Sequence, residues 1–320
     1  MLKRLSLCRI FIPAVLMLLA ICLKVSAEPG RWELKLSGDG WKLRLDRDAE
    51  WQNDEIFLPP VDISRIPSNP PSCGWDRIDS LEGKTVSVPG TVEEHYWGSS
   101  NPLGIAGDYR GVSWWSRTFR LDTGLKGKRI VLAFDCVNLR AEIYVNRKLA
   151  GYDVVGNTPF EADITDAVIY GGENTLDIRI TDPVGNFNWP SGIVFPWGKY
   201  NIPAVRGFGG ITGDVTLLAL DKVNIDDIYV RNSPKITEAE VIVEVMNTSG
   251  SAANGSMTLV ISEWNNPPNI LLKKTISESI PPAGKTVSFA VNAPNAKPWG
   301  ILDPHLYVAQ ATFESVDGSD

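Results

Sequence analysis

From Gly30 onward the apolar and polar positions alternate with a period of two, in short runs rich in β-branched and aromatic residues and cut by Gly, Pro, Asn and Asp. The pattern predicts an all-β chain. Strands are expected at 41–47, 85–89, 112–122, 128–137, 140–152, 160–165, 174–182 and 214–220. Eight strands in that space suit a jelly-roll β-sandwich. In the run Ala141 to Asn146, Ile143 and Val145 face one way and Glu142, Tyr144 and Asn146 the other, and Asn146-Arg147 fits a two-residue hairpin turn. A second series of strands is expected at 223–231, 240–247, 256–264, 271–277, 285–292 and 305–315, with Val241, Val243 and Val245 on one core face. That spacing predicts an immunoglobulin-like sandwich. The final Asp317-Gly318-Ser319-Asp320 reads as a turn with no returning strand, so the sandwich is expected to lack its last strand and to continue in a longer parent chain.

Before Gly30 the pattern changes. Lys3, Arg4 and Arg9 precede an uncharged apolar run at 10–23 and a small-residue site at Val25-Ser26-Ala27. This predicts a signal peptide over 1–27, cleaved after Ala27, and a secreted or periplasmic product. The run is shorter than the roughly 20 residues of a bilayer-spanning helix, so no membrane association is expected after cleavage. A lipoprotein site at Cys22 is disfavoured by the bulky Ile21 before it. The organisation is therefore a signal over 1–27, a first sandwich over 28–221 and a second over 222–320.

Four of the 31 Lys and Arg residues leave with the signal, and 27 remain against 38 Asp and Glu, a formal charge of −11. Such a chain repels nucleic acid and anionic lipid, and neither is an expected partner. Two cysteines also leave, so Cys73 and Cys136 form either one disulfide or two separate thiols.

Several stretches resemble the front region of family 2 glycoside hydrolases, the group holding β-galactosidases, β-mannosidases and β-glucuronidases. Val88-Pro89-Gly90-Thr91 looks like that family's entry to the sandwich, and Gly111 to Phe119, with Trp114, Trp115, Arg117 and Phe119, is similar to its Trp-Tyr-x-Arg-x-Phe strand. Ala141 to Asn146, Gly151 and Thr158 to Thr165 resemble a second signature, and Gly172-Glu173-Asn174-Thr175-Leu176 a strand entry. Gly209-Gly210-Ile211 with Val215 resembles the junction into the immunoglobulin-like domain, and Pro298-Trp299 with Pro304-His305-Leu306-Tyr307 that domain's ending. Arg147 departs from the usual turn Gly, and Thr212-Gly213 from the bulkier junction pair. The resemblance implies a jelly-roll sugar-binding domain, an immunoglobulin-like domain, a carbohydrate partner and a (β/α)₈ catalytic barrel C-terminal to this chain.

Retaining glycosidases need two carboxylates about 5–5.5 Å apart. In the resembled family both are glutamates of the barrel, and the sequence shows neither alternating strands and helices nor an Asn-Glu-Pro-like stretch. No catalytic residue is assigned. Asn53-Asp54-Glu55 is the nearest echo and reads as a solvated turn. His95 and His305 lack metal-ligand spacing, so no metal and no cofactor is expected. Gly207-Phe208-Gly209-Gly210 lacks the ending of a phosphate loop and reads as a turn cluster. Trp114 and Trp115, adjacent on a strand, must point to opposite faces, so only one could be exposed, and with Arg117 and Phe119 they read as sandwich packing rather than ligand contacts.

The candidate substrate-binding residues lie in two connections. The segment 183–210 holds Asn188, Trp189, Trp197, Lys199 and Tyr200, where aromatic faces can stack on sugar rings and Asn or Lys can bond hydroxyls. Packing of those rings against a neighbouring domain is the alternative. Asn101-Pro102-Leu103-Gly104 resembles the loop by which the first domain of β-galactosidases reaches the barrel's sugar site, which would give Asn101 a substrate hydrogen bond; a plain Asn-Pro turn is the alternative. The implied function is an accessory, carbohydrate-binding and scaffolding region of a secreted glycosidase, inactive alone. A freestanding carbohydrate-binding protein and an adhesive pair of sandwiches are the competing readings.

Overall fold

The computed structural model describes residues 30–96, 109–183, 194–197, 200–203, 208–235, 237–315 and 318–320; for 194–197, 200–203 and 318–319 the description covers the backbone. The expected signal peptide lies outside these residues. The chain is built almost wholly of strands, the longest helix among the described residues after the one at Trp75–Ser80 being the single turn Val92–Tyr96. No described helix is long and apolar enough to cross a membrane.

The first part is a sandwich of two antiparallel sheets. One has six strands in the spatial order Gly83–Val88, Gly38–Asp46, Gly111–Arg120, Glu173–Asp182, Arg140–Val145, Lys148–Asp153. The other has four, Trp32–Lys35, Val215–Leu220, Arg129–Phe134 and Phe160–Asp163. Trp41, Trp115, Ile143, Val145 and Ile178 from the first sheet meet Ile130, Leu132, Phe134 and Leu217 from the second in one apolar core. The alternation read from the sequence produces this directly, since every second side chain of a strand points to the same face. A small sheet of Gly90–Thr91, Gly210–Ile211 and Val137–Asn138 closes one end.

The hairpin turn at Asn146-Arg147 forms as expected, with φ of 52° and 68°. Both residues are in the left-handed region, which a primed hairpin turn demands, so Arg147 occupies a conformation that glycine adopts without cost.

The outer face of the six-stranded sheet is covered. Trp114 and Trp115 point to opposite faces and both are 0% exposed, packed as the sequence suggests. Trp115 lies in the inter-sheet core. Trp114 lies under residues of the 47–82 connection, packed with Trp51, Trp75, Ile78, Leu81, Val112 and Tyr144. The Trp114 indole donates to Asp46 Oδ2 at 3.0 Å, and the same carboxylate accepts from the Ser72 backbone N–H at 2.9 Å, tying the connection to the sheet. The sequence reading could not see this cover, because it has almost no regular structure of its own.

The second part has a separate core. Val223–Asn232, Glu238–Asn247 and Lys285–Asn292 form one sheet; Asn266–Ile280, Ala253–Glu263, Tyr307–Ser315 and Gly318–Ser319 form the other. Val241, Val243 and Val245 share the core face with Leu259, Phe289 and Phe313. The turn near the end does return, contrary to expectation: Gly318–Ser319 pairs with Glu314 and Ser315, and Phe313 and Asp320 exchange both backbone hydrogen bonds. Arg31, at the start of the first sandwich, bonds Ile225 O at 2.9 Å and Asp320 Oδ2 at 3.1 Å, joining the two parts.

Cys73 and Cys136 are free thiols, so the disulfide alternative is set aside. Cys136 sits in the bend between Arg129–Phe134 and Val137–Asn138, half-buried, with its sulfur 2.8 Å from Thr212 Oγ1.

Candidate functional site

The candidate site is set by where two connections leave the sandwich. The Gly111–Arg120 and Glu173–Asp182 strands pair along their whole length, with Gly111 opposite Asp182. The described flanks of the 97–108 and 184–193 segments are therefore neighbours at this end of the sheet. On the other side, Val92 donates its backbone N–H to Gly209 O at 2.8 Å, and Gly210 pairs with both Thr91 and Asn138. Both connections thus begin and end at one end of the first sandwich.

Glycine makes this closure possible. A Cβ on Gly210 would come 2.5 Å from the Gly90 backbone O, too close without moving the strand, and one on Gly209 would come 2.9 Å from Asp182 Oδ2, so that side chain would have to shift. The Gly209-Gly210 pair serves close strand approach. Expected as a turn cluster, it instead leads into a strand at Gly210.

The flanks are held firmly. Tyr96, fully buried, donates to Leu43 O at 3.2 Å, and Lys84 Nζ lies 4.4 Å above its ring while donating to His95 O at 2.6 Å. Tyr109 donates to Val112 O at 2.6 Å. Burial pushes the Tyr109 hydroxyl far above the ordinary phenol range, with the nearby Arg47 opposing, so it stays a donor at any physiological pH. Asn138 donates through Nδ2 to Phe208 O at 3.1 Å, and the Phe208 ring is exposed beside it. A rigid rim of this kind can present connections to a ligand without much ordering cost.

Of the sequence-derived candidates, Asn101, Asn188, Trp189 and Lys199 lie outside the described residues. Trp197 and Tyr200 fall on a two-stranded hairpin, Val194–Trp197 with Tyr200–Pro203, as direct register partners. Both lie within 183–210, which the sequence presents as a connection.

Acid chemistry has one cluster to answer for. Glu142, on the strand face opposite Ile143 and Val145 as expected, is fully buried, and Asp54, expected in a solvated turn, is half-buried; both lie against two arginines. Arg179 Nη1 donates to Glu142 Oε1 and to Asp54 Oδ2, both at 2.9 Å. Arg140 Nη1 bonds the same two carboxylates, and Asn69 and Tyr144 supply further donors to Glu142 at 2.9 and 2.6 Å. Glu142 is 0% exposed and Arg140 1%. Two carboxylates matched by two guanidiniums form a charge-balanced cluster in which both oxygens of Glu142 accept hydrogen bonds inside the fold. It is a structural device. Its sequence signal was present, because Arg179 and Glu142 are cross-strand partners of opposite charge.

His95 and His305 are far apart in role. The His95 Nε2 is buried without a hydrogen-bond partner, and burial lowers its imidazole pKa. His305 pairs with Asp303 at 3.1 Å. Among the described residues, no group of three or more His, Cys, Asp or Glu side chains could hold a metal ion.

Comparison with known proteins fixes the family. Residues 35–220, more than half of the chain, match the profile described as glycosyl hydrolases family 2, sugar binding domain. The chain belongs to glycoside hydrolase family 2. It is 27% identical over 235 residues to a β-galactosidase of Thermoanaerobacter pseudethanolicus, covering 72% of this chain and 29% of that protein. It is 30% identical over 184 residues to a β-glucuronidase of Bacteroides fragilis, covering 52% of this chain and 24% of that protein. The crystal structure of a family 2 member from Bacteroides cellulosilyticus superposes with a TM-score of 0.63 at 21% identity, over 90% of this chain and 35% of that one. That likeness bears on fold, and it extends through both sandwiches. This family 2 chain spans under a third of the length of these two curated relatives.

Proposed function

We propose that this family 2 chain is the accessory, carbohydrate-binding and scaffolding region of a secreted glycosidase, and that it does not cleave glycosidic bonds by itself. The observation that carries the reading is that the described flanks of the two candidate connections lie at one end of the sandwich: Gly111 is opposite Asp182, and Gly209-Gly210 meets Thr91-Val92. Asn101, Asn188, Trp189, Trp197, Lys199 and Tyr200 belong to the segments that these flanks bound, and we take them as the substrate-binding candidates. Aromatic and amide groups of this kind suit a saccharide. The relatives supply the class of chemistry, since those named above are a β-galactosidase and a β-glucuronidase of more than three times the matched length. A C-terminal (β/α)₈ barrel bearing the paired glutamates completes the reading, and the charged, apolar and small-residue order of residues 1–27 supports export.

The test uses the purified chain. Incubation with chromogenic β-galactosides, β-mannosides and β-glucuronides should give no turnover above a blank, while calorimetry with soluble oligosaccharides should show binding that Trp197→Ala weakens about tenfold. Turnover by the chain alone would overturn the accessory role. Binding strong enough to act without any further domain would favour the freestanding carbohydrate-binding protein.

A further inference from the structure

The second sandwich holds a cleft of about 600 Å³ where its two sheets part, remote in the chain from both candidate connections. We infer that this cleft is a second saccharide-binding site, with Trp299 as its stacking platform. The inference goes beyond the rim of the first sandwich and does not require it.

Three observations converge. Trp299 is 60% exposed at the mouth of the cleft, an unusual state for the side chain with most to gain from burial. It is held there rather than free to collapse inward. Tyr307 OH accepts from the Lys297 backbone N–H at 2.6 Å, and Gly300 and Asp303 exchange reciprocal backbone hydrogen bonds at 3.2 Å. The turn carrying the indole is thus pinned on both sides. Second, the volume falls within the range of roughly 300–1,000 Å³ typical of small-molecule sites. Third, the lining mixes apolar walls with polar side chains that hold no hydrogen bond within the described residues, Asn232, Thr237 and Lys297 among them.

The charge pattern selects the ligand. Lys235 is paired with Glu238 at 3.0 Å, and His305 with Asp303 at 3.1 Å, so the rim is nearly neutral, with Lys297 as its one unmatched ammonium among the described residues. A fatty anion would find little positive field and a cation none that is negative. A saccharide needs neither: its C–H face lies on an indole, and its hydroxyls take up the amide, hydroxyl and ammonium groups.

The experiment is calorimetric titration of the full chain with soluble xylo-, gluco-, galacto- and manno-oligosaccharides, repeated for Trp299→Ala, Asn232→Ala and Trp197→Ala. At least one series should bind with an affinity reduced about tenfold by Trp299→Ala, reduced less by Asn232→Ala, and unchanged by Trp197→Ala. Trp299 lies on an exposed turn, so its removal leaves the core intact, and an unchanged circular dichroism spectrum checks this. Absence of binding in every series, or binding indifferent to Trp299→Ala, overturns the inference. So does a shift of oligomeric state in Trp299→Ala and Leu302→Ser without any saccharide effect, because Ile301 and Leu302, at 84% and 99% exposure, would then mark the turn as a protein contact.

Discussion

The two sandwiches of this chain handle the outward face of a sheet in opposite ways. In the second, Lys285–Asn292 alternates exposed and buried positions along its length, so the polar side chains meet water and the apolar ones the core. In the first, all six residues of Arg140–Val145 are buried, because the 47–82 connection covers the outer face. The same period-two sequence therefore means different things. Where one face is solvated, a charged residue on it is a surface residue; where a connection lies over it, the same residue must find every hydrogen-bond partner inside.

The largest test of that contrast is charge removal. Glu142→Ala strands two buried guanidiniums and should cost about 3–5 kcal/mol in urea denaturation. Lys285→Ala in the second sandwich breaks the pair with Glu278, where the lysine is 40% exposed, and should cost less than about 1 kcal/mol. Equal losses at the two sites would erase the distinction.

The hairpin between the covered strands gives a smaller effect of opposite sign. Arg147→Gly relieves a left-handed side-chain-bearing residue and should stabilise by about 1 kcal/mol. The ion pair it forfeits, Arg147 with Asp76, has its two side chains 54% and 89% exposed and contributes little. A thermal melt that falls instead of rising would show that the arginine anchors the covering connection.

The mildest test is pH. Burial raises the Asp177 carboxyl pKa, with Ser116 and Arg44 opposing. The folded state then binds its proton more tightly than the unfolded chain, so the stabilising contribution is present below the ordinary carboxylate range and is lost as pH rises toward the raised value. Asp177→Asn should flatten that decline in stability, measured by denaturation at a series of pH values. An unaltered slope would place the titration elsewhere.

Much of the fold was legible because strand periodicity is local. The runs around Leu43, Ile143, Ile178, Val243 and Phe289 each declare a core face within a few residues, whereas the close approach at Gly209 and Gly210 emerges only in the structure. The candidate site was legible only as composition: Trp197 and Tyr200 stand out as aromatics in a connection, yet nothing in their spacing shows that they are register partners, or that Gly111 lies opposite Asp182. The Trp299 cleft was less visible still, since its lining comes from strands far apart in the chain.

By itself, then, the sequence determined the strand content, the two sandwiches, the primed turn at Asn146-Arg147 and the family resemblance, all carried by short-range pattern. Tertiary structure alone decided that the 47–82 connection covers Trp114 and Glu142, that Cys73 and Cys136 stay apart, and that the flanks of two distant connections meet at one end. Burial and proximity depend on which remote segment packs against a face, and an irregular connection such as 47–82 leaves no periodic trace of where it will lie.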